Sequence, residues 1–174
     1  MKKIKNKGIL FWITGLSGSG KTTIAKKITP NLRKKYGPTI LISGDQIREM
    51  FDLKKYNRVS RIMYGHNFSK LAKFLTDQGF NVVLNVIGMF RSVRKRNRSN
   101  IKNYIEIYIE TDLKKIIKIG KKKTYKNNKK NIVGKDIKAE LPKKPNIIIK
   151  NDFTKNINQI SKELLKKIDN LLKK

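Results

Sequence analysis

GLSGSGKTT, residues 15–23, decides how the rest of this chain is read. Every fixed position of G-x-x-x-x-G-K-[ST] is filled between Gly15 and Thr22. The apolar run ILFWIT (9–14) precedes it and a helix-compatible run follows, which is the strand–loop–helix context the motif requires. Glycines let the backbone turn so that several N–H groups converge on one anion. A helix starting at Lys21 adds its partial positive end. Lys21 then reaches the β- and γ-phosphates, and the Thr22 hydroxyl is the metal ligand for Mg²⁺. The expected contacts of a bound triphosphate are Gly15, Ser17, Gly18, Ser19, Gly20, Lys21, Thr22 and Thr23. ATP and Mg²⁺ are the cofactors this implies.

Around that loop, five short Ile- and Val-rich runs read as buried strands: 9–14, TILIS (39–43), VVLNVI (82–87), YIEIYIE (104–110) and NIIIK (146–150). Helical stretches alternate with them. One starts at Lys21, with a kink or restart expected at Pro30; one runs from Ser60 to Gln78 and stops at Gly79; one starts near Thr111. The last places Ile157, Ile160, Leu164, Leu165, Ile168, Leu171 and Leu172 on one face as core packing. Such alternation predicts an α/β fold, a five-stranded parallel sheet with helices on both faces. All 174 residues fit a single domain. Ligands of these sheets sit at the C-terminal strand ends, so residues 43–48 and 87–98 join the loop as places to look.

Composition narrows the field. There is no cysteine, hence no disulfide, thiolate zinc site or Cys nucleophile. The net charge is +31, carried by 35 Lys and 8 Arg. Two readings compete: a nucleic-acid or anionic-surface partner, and codon bias in an A/T-rich genome. Lysines spread from end to end favour bias. The basic start followed by an apolar run imitates a signal peptide, but it runs into the glycine loop without a small-residue cleavage site. No segment approaches the ~20 apolar residues of a membrane span, so the expected location is cytoplasmic. Residues 118–136, basic and polar, read either as a solvated loop or as a lid over a polyanion.

A phosphate loop does not fix the reaction. Switch-type NTPases carry a second metal-binding Asp at the end of an apolar strand, and the third strand here has none. An acidic residue instead follows the second strand, Asp45 in LISGDQIRE. It suits a base that accepts a proton from an attacking hydroxyl. It would equally serve as a helix N-cap. FRSVRKRNRSN (90–100) holds four Arg and one Lys between Arg91 and Arg98. It reads as part of a polynucleotide-binding face, or as a cluster lining a small-molecule phosphate pocket. A P-loop protein that binds ATP without catalysis is a third class.

Together these segments resemble the adenylylsulfate kinase family, P-loop kinases that phosphorylate a nucleotide ribose at its 3′-hydroxyl. GILFWITGLSGSGKTTIAKKI resembles the family's opening, and GDQIR resembles its Gly-Asp-Asn-x-Arg element. The likeness implies Asp45 at the 3′-hydroxyl and Arg48 on the substrate. DLKKY followed by Arg61 resembles the segment with a base-stacking aromatic and a substrate arginine, which implies Tyr56 and Arg61. LAKFLTDQGFNVVLNVI and the pair Phe90–Arg91 match the approach to the third-strand loop, implying Ile87 and Arg91 at the substrate. KKTYK (122–126) and KKNIVGKDI (129–137) resemble the family's basic lid, implying Lys122.

The chain departs from the family pattern in three places. Ser43-Gly44-Asp45 stands where the family has Asp-Gly-Asp, Tyr64 and His66 where it has Asn and Arg, and Gly88-Met89 where it has Ser-Pro. The ATP half is intact and the acceptor half is altered. Relatives known to act on another nucleotide include the cytidine diphosphoramidate kinases of capsule phosphoramidate pathways. The departures and the A/T-rich composition lean toward them, with adenylylsulfate as the alternative acceptor. The expected partner is a small nucleotide, not a polymer or a membrane; a homodimer stays open.

Overall fold

The computed structural model of the chain describes residues 7–119, 125 and 130–173. Its strands are β1 (Leu10–Thr14), β2 (Thr39–Ser43), β3 (Asn81–Asn85), β4 (Tyr104–Glu110) and β5 (Ile147–Lys150). Its helices are α1 (Lys21–Tyr36), α2 (Gly44–Met50), α3 (Arg58–Asp77), α4 (Arg91–Asn100), α5 (Leu113–Ile119) and α6 (Ile157–Leu172). The strands form one parallel sheet in the order β2-β3-β1-β4-β5. β1 is central, so the loop that follows it opens at the middle of the sheet's C-terminal edge.

Alternation along the strands sends side chains to two cores. Leu10, Trp12, Val82 and Leu84 face Ile47, Tyr64, Phe68, Ala72 and Val93, from α2, α3 and α4. Phe11, Ile13, Val83, Ile107 and Ile149 face Ile24, Ile28 and Leu32 of α1 and Ile160, Leu164 and Ile168 of α6. Each fully buried Leu, Ile or Phe is worth roughly 1.5–3 kcal/mol, so both layers are held firmly. The α6 stripe is core packing, as its spacing predicts.

Several local expectations are corrected. α1 runs through Pro30 without a break. The stretch 91–100, read only as a basic cluster and assigned to no element, is helix α4. Its periodicity is hidden because Val93 is its only buried apolar residue, while the other buried positions are Arg94 and Asn97. Among the described residues no helix is long and apolar enough to cross a membrane.

Candidate nucleotide-binding site

A cleft of about 1080 Å³ opens along the C-terminal edge of the sheet. Its floor is the glycine loop. Gly18 and Gly20 have φ of +82° and +92°, a left-handed region that side chains avoid, and Gly20 forms the N-terminal boundary of α1. Ser17, Gly18, Gly20, Lys21, Thr22 and Thr23 line the cleft. Gly15 and Ser19 are buried beneath it. Lys21 Nζ donates to the carbonyl of Leu16 in the same loop, at 2.7 Å, so its ammonium is already held over the loop.

Polar side chains brace the loop from below. Asn151, just past β5, donates to the Ser19 carbonyl at 3.0 Å. A side chain at Gly20 would press on that amide. Asn85, the last residue of β3, donates from Nδ2 to Thr22 Oγ1 at 3.0 Å and to Ser43 Oγ at 3.4 Å. Tyr125 is buried and donates to the Ser17 carbonyl at 3.0 Å; burial also pushes its phenol pKa up. Past β5, Asn151, Phe153, Lys155 and Ile157 wall one end of the cleft.

The other end is built from side chains. α2 is capped by Ser43, whose hydroxyl accepts from the Asp45 amide, and Gln46 completes the capping box. Asp45 is therefore not the N-cap. It lies in the first turn, exposed and lining the cleft. Its carboxylate makes no hydrogen bond or ion pair among the described residues. Arg48 lies over the rings of Tyr56 and Tyr64, at 4.5 and 4.9 Å from their centres, and Arg61 lies 5.2 Å from that of Tyr56. Arg48 also donates to the carbonyls of Leu53 and Lys55, and Arg61 to those of Tyr56 and Asn131. Burial, then the neighbouring Arg48 charge, lowers the Arg61 pKa. Two cations held side by side in a half-buried wall leave a field that an anion relieves.

Thus Asp45, Arg48, Tyr56, Arg61, Tyr64 and Ile87 all line the same cleft as Lys21 and Thr22. The Ile87 carbonyl also accepts from Gly15 N and Thr14 Oγ1, fixing the loop after β3. Gly88, in that loop, has φ +53°, and an added Cβ would meet Trp12 and Val86 at 2.9 Å. A serine there would be strained and would push on those side chains.

His66 and Arg91 are not brought in. His66 does not line the cleft; burial, then the charges of Arg96 and Lys70, lowers its pKa. Arg91 is exposed, and its backbone N–H donates to Glu140. The basic cluster does not line the cleft. Arg94 and Arg98 pair with buried Glu106, at 3.2 and 2.7 Å. Lys122 lies outside the described residues. So does much of 118–136, but Lys130, Asn131, Ile132 and Val133 border the cleft.

The residues present fit Mg²⁺. Thr22 offers a hard oxygen at the phosphate end, and Asp45 puts a carboxylate in the same cleft. Among the described residues no cluster of three or more His, Cys, Asp or Glu occurs. That suits a cation held mainly by phosphates and water, as Mg²⁺ prefers. Sequence reasoning passed over Asn85, Asn151 and Phe153. The signal for Asn85 was present: one polar residue inside the apolar run VVLNVI.

The adenylylsulphate kinase family model matches residues 7–150. The cytidine diphosphoramidate kinase of Campylobacter jejuni is 38% identical over 169 residues, 95% of this chain and 99% of the relative. The adenylyl-sulfate kinase of Clostridium acetobutylicum is 32% identical, covering 85% of this chain and 77% of that protein. Among solved structures, the Mycobacterium tuberculosis APS kinase CysC in complex with AMPPNP and APS superposes with a TM-score of 0.84. It covers 94% of this chain and 99% of that one at 22% identity, a likeness of fold.

Proposed function

The chain belongs to the adenylylsulphate kinase family, and from that premise we propose that it transfers the γ-phosphate of ATP to the ribose 3′-hydroxyl of cytidine diphosphoramidate. This would be a step of capsule phosphoramidate biosynthesis. That it is an ATP-dependent nucleotide kinase follows from the family itself. The acceptor is the finer reading. The observation that carries it is the end-to-end match to a cytidine diphosphoramidate kinase. The altered acceptor wall supports it: Tyr64 lies under Arg48, His66 does not line the cleft, and a side chain at Gly88 would be strained.

In this reading the triphosphate lies on the loop, with Lys21 on its outer phosphates and the purine toward the β5–α6 end. Thr22 would hold Mg²⁺, which when bound would supply charge neutralisation on the transferring group. Asp45 accepts the proton of the 3′-hydroxyl as the oxygen attacks the γ-phosphorus, and ADP leaves. Arg48 and Arg61 hold the acceptor's diphosphate-like end, and Tyr56 and Tyr64 stiffen both guanidinium groups. Lys130 to Val133, at the border of the cleft, help keep water from the γ-phosphate; the rest of the basic segment read as a lid lies largely outside the described residues. Without a hydroxyl at position 88, transfer is direct, in a ternary complex.

The test is incubation of ATP, Mg²⁺ and cytidine diphosphoramidate with the enzyme, followed by phosphorus NMR. A new 3′-phosphomonoester resonance, absent with Asp45→Asn, is expected. ADP formation without that resonance contradicts the assignment. Adenylylsulfate is the second reading, favoured by the Clostridium acetobutylicum relative. RNA binding that weakens steeply with salt would instead support a polymer substrate.

A further inference from the structure

Ser43, Asn85 and Ile13 lie side by side in register at the C-terminal edge of β2, β3 and β1. Asn85 is 4% exposed and also lines the cleft. Its amide nitrogen has two hydrogens, and they meet two hydroxyls from different halves of the site. One is Thr22 Oγ1, at 3.0 Å. The other is Ser43 Oγ, at 3.4 Å, the oxygen that also accepts from the Asp45 backbone amide at 3.3 Å. An unbroken chain of hydrogen bonds thus runs from the P-loop threonine, through Asn85, to the turn that carries Asp45. The side-chain oxygen Oδ1 of Asn85 is buried and has no hydrogen-bond partner among the described residues. A buried amide at the end of a strand, with half of its hydrogen-bonding capacity unsatisfied, costs stability unless the other half is needed.

We propose that Asn85 is a positioning residue that fixes the placement of the Thr22 hydroxyl relative to the Asp45 carboxylate. Switch-type P-loop proteins put an acid at the end of a neighbouring strand to share the metal with this hydroxyl. Here that place holds a neutral amide. It adds no charge beside the phosphates, so Asp45 is not forced to share a proton with a second carboxylate. Its N–H group occupies one lone pair of Thr22 Oγ1 and leaves the other for the cation. It acts through Thr22 and Ser43 and does not touch the transferring group. The inference rests on the kinase reading of Lys21, Thr22 and Asp45, and not on which nucleotide is the acceptor.

The test uses the full chain with Asn85→Ala and Asn85→Asp, the second having the shape of the native residue but no N–H donors. Mn²⁺ binding in the presence of ADP is followed by electron paramagnetic resonance, alongside kcat, both KM values and thermal melting. Asn85→Ala should weaken Mn²⁺ by about tenfold, the worth of one well-placed hydrogen bond. Both variants should lose roughly tenfold or more in kcat while both KM values stay within about threefold. If Asn85→Ala does not fold, Asn85→Asp carries the kinetic test. A lower melting temperature with kcat and Mn²⁺ affinity within about twofold of wild type would make Asn85 a packing residue only. An Asn85→Asp enzyme as fast as wild type would show that the donated hydrogen bonds are not what the position supplies. A wrong acceptor assignment leaves the Mn²⁺ readout untouched, because no acceptor is present in it.

Discussion

The two ends of the cleft are built differently. The phosphate end is mostly backbone: a short glycine loop whose carbonyls are braced by Asn151 and Tyr125 and whose lysine is parked on Leu16. The proposed acceptor end is mostly side chains, gathered from α2, α3, the segment between them and the loop after β3, with two arginines stacked on two tyrosines. Backbone recognition needs a fixed spacing of small residues and tolerates little change. Side-chain recognition can be rebuilt residue by residue, and this is where the chain departs from its family's pattern.

The sharpest break should come at the phosphate end. Lys21→Ala should lower kcat about a thousandfold, as expected for losing a charge that stabilises the transition state. Steady-state kinetics at saturating ATP checks it. Comparable in free energy, but read in stability, is Glu106→Ala. It strands the buried Arg94 guanidinium and should cost about 3 kcal/mol or more in denaturant unfolding. A loss well under 1 kcal/mol would return the arginine cluster to a binding role. Asp45→Asn should reduce kcat at least about a hundredfold with ATP affinity unchanged. This separates the proton acceptor from the phosphate cradle.

Smaller changes belong to the acceptor wall. Arg48→Ala should raise the acceptor KM roughly ten- to a hundredfold, the loss of a charge-assisted hydrogen bond, and leave the ATP KM alone. A change in the ATP KM alone would reverse the assignment of the two ends. His66→Gln should alter kcat/KM less than about twofold between pH 6.5 and 8. Because the folded pKa of His66 is depressed, its neutral form is the one the fold accommodates. Its contribution is complete above the unfolded value near 6.5 and is lost as pH falls through the folded value. The glutamine variant should therefore lose less stability than wild type on acidification, measured by melting.

The same contrast explains what the sequence could show. Gly15 to Thr22 is a local pattern, so the loop, its strand and its helix were legible from spacing. The sheet followed from the Ile- and Val-rich runs, and the α6 stripe from its period. Helix α4 was not legible, because Arg94 and Asn97 take buried positions that a hydrophobic pattern assigns to apolar residues. That Arg91 and His66 do not line the cleft has a related reason. Proximity in sequence to a strand end or a substrate tyrosine does not say which side of a helix faces the cleft. Asp45 lines the cleft, but the capping role its position also suggested belongs to Ser43, two residues earlier. Asn85 acquires meaning only when β2, β3 and β1 are laid side by side in register.

The central claim is a retained phosphate end joined to a changed acceptor end. The most direct measurement is kcat/KM for cytidine diphosphoramidate against adenylylsulfate, on one enzyme preparation at saturating ATP and Mg²⁺. The account predicts at least about a tenfold preference for the cytidine compound, the scale of one charge-assisted contact. A preference of about tenfold or more for adenylylsulfate would contradict it, and would make Tyr64, His66 and Gly88 substitutions without consequence for the acceptor.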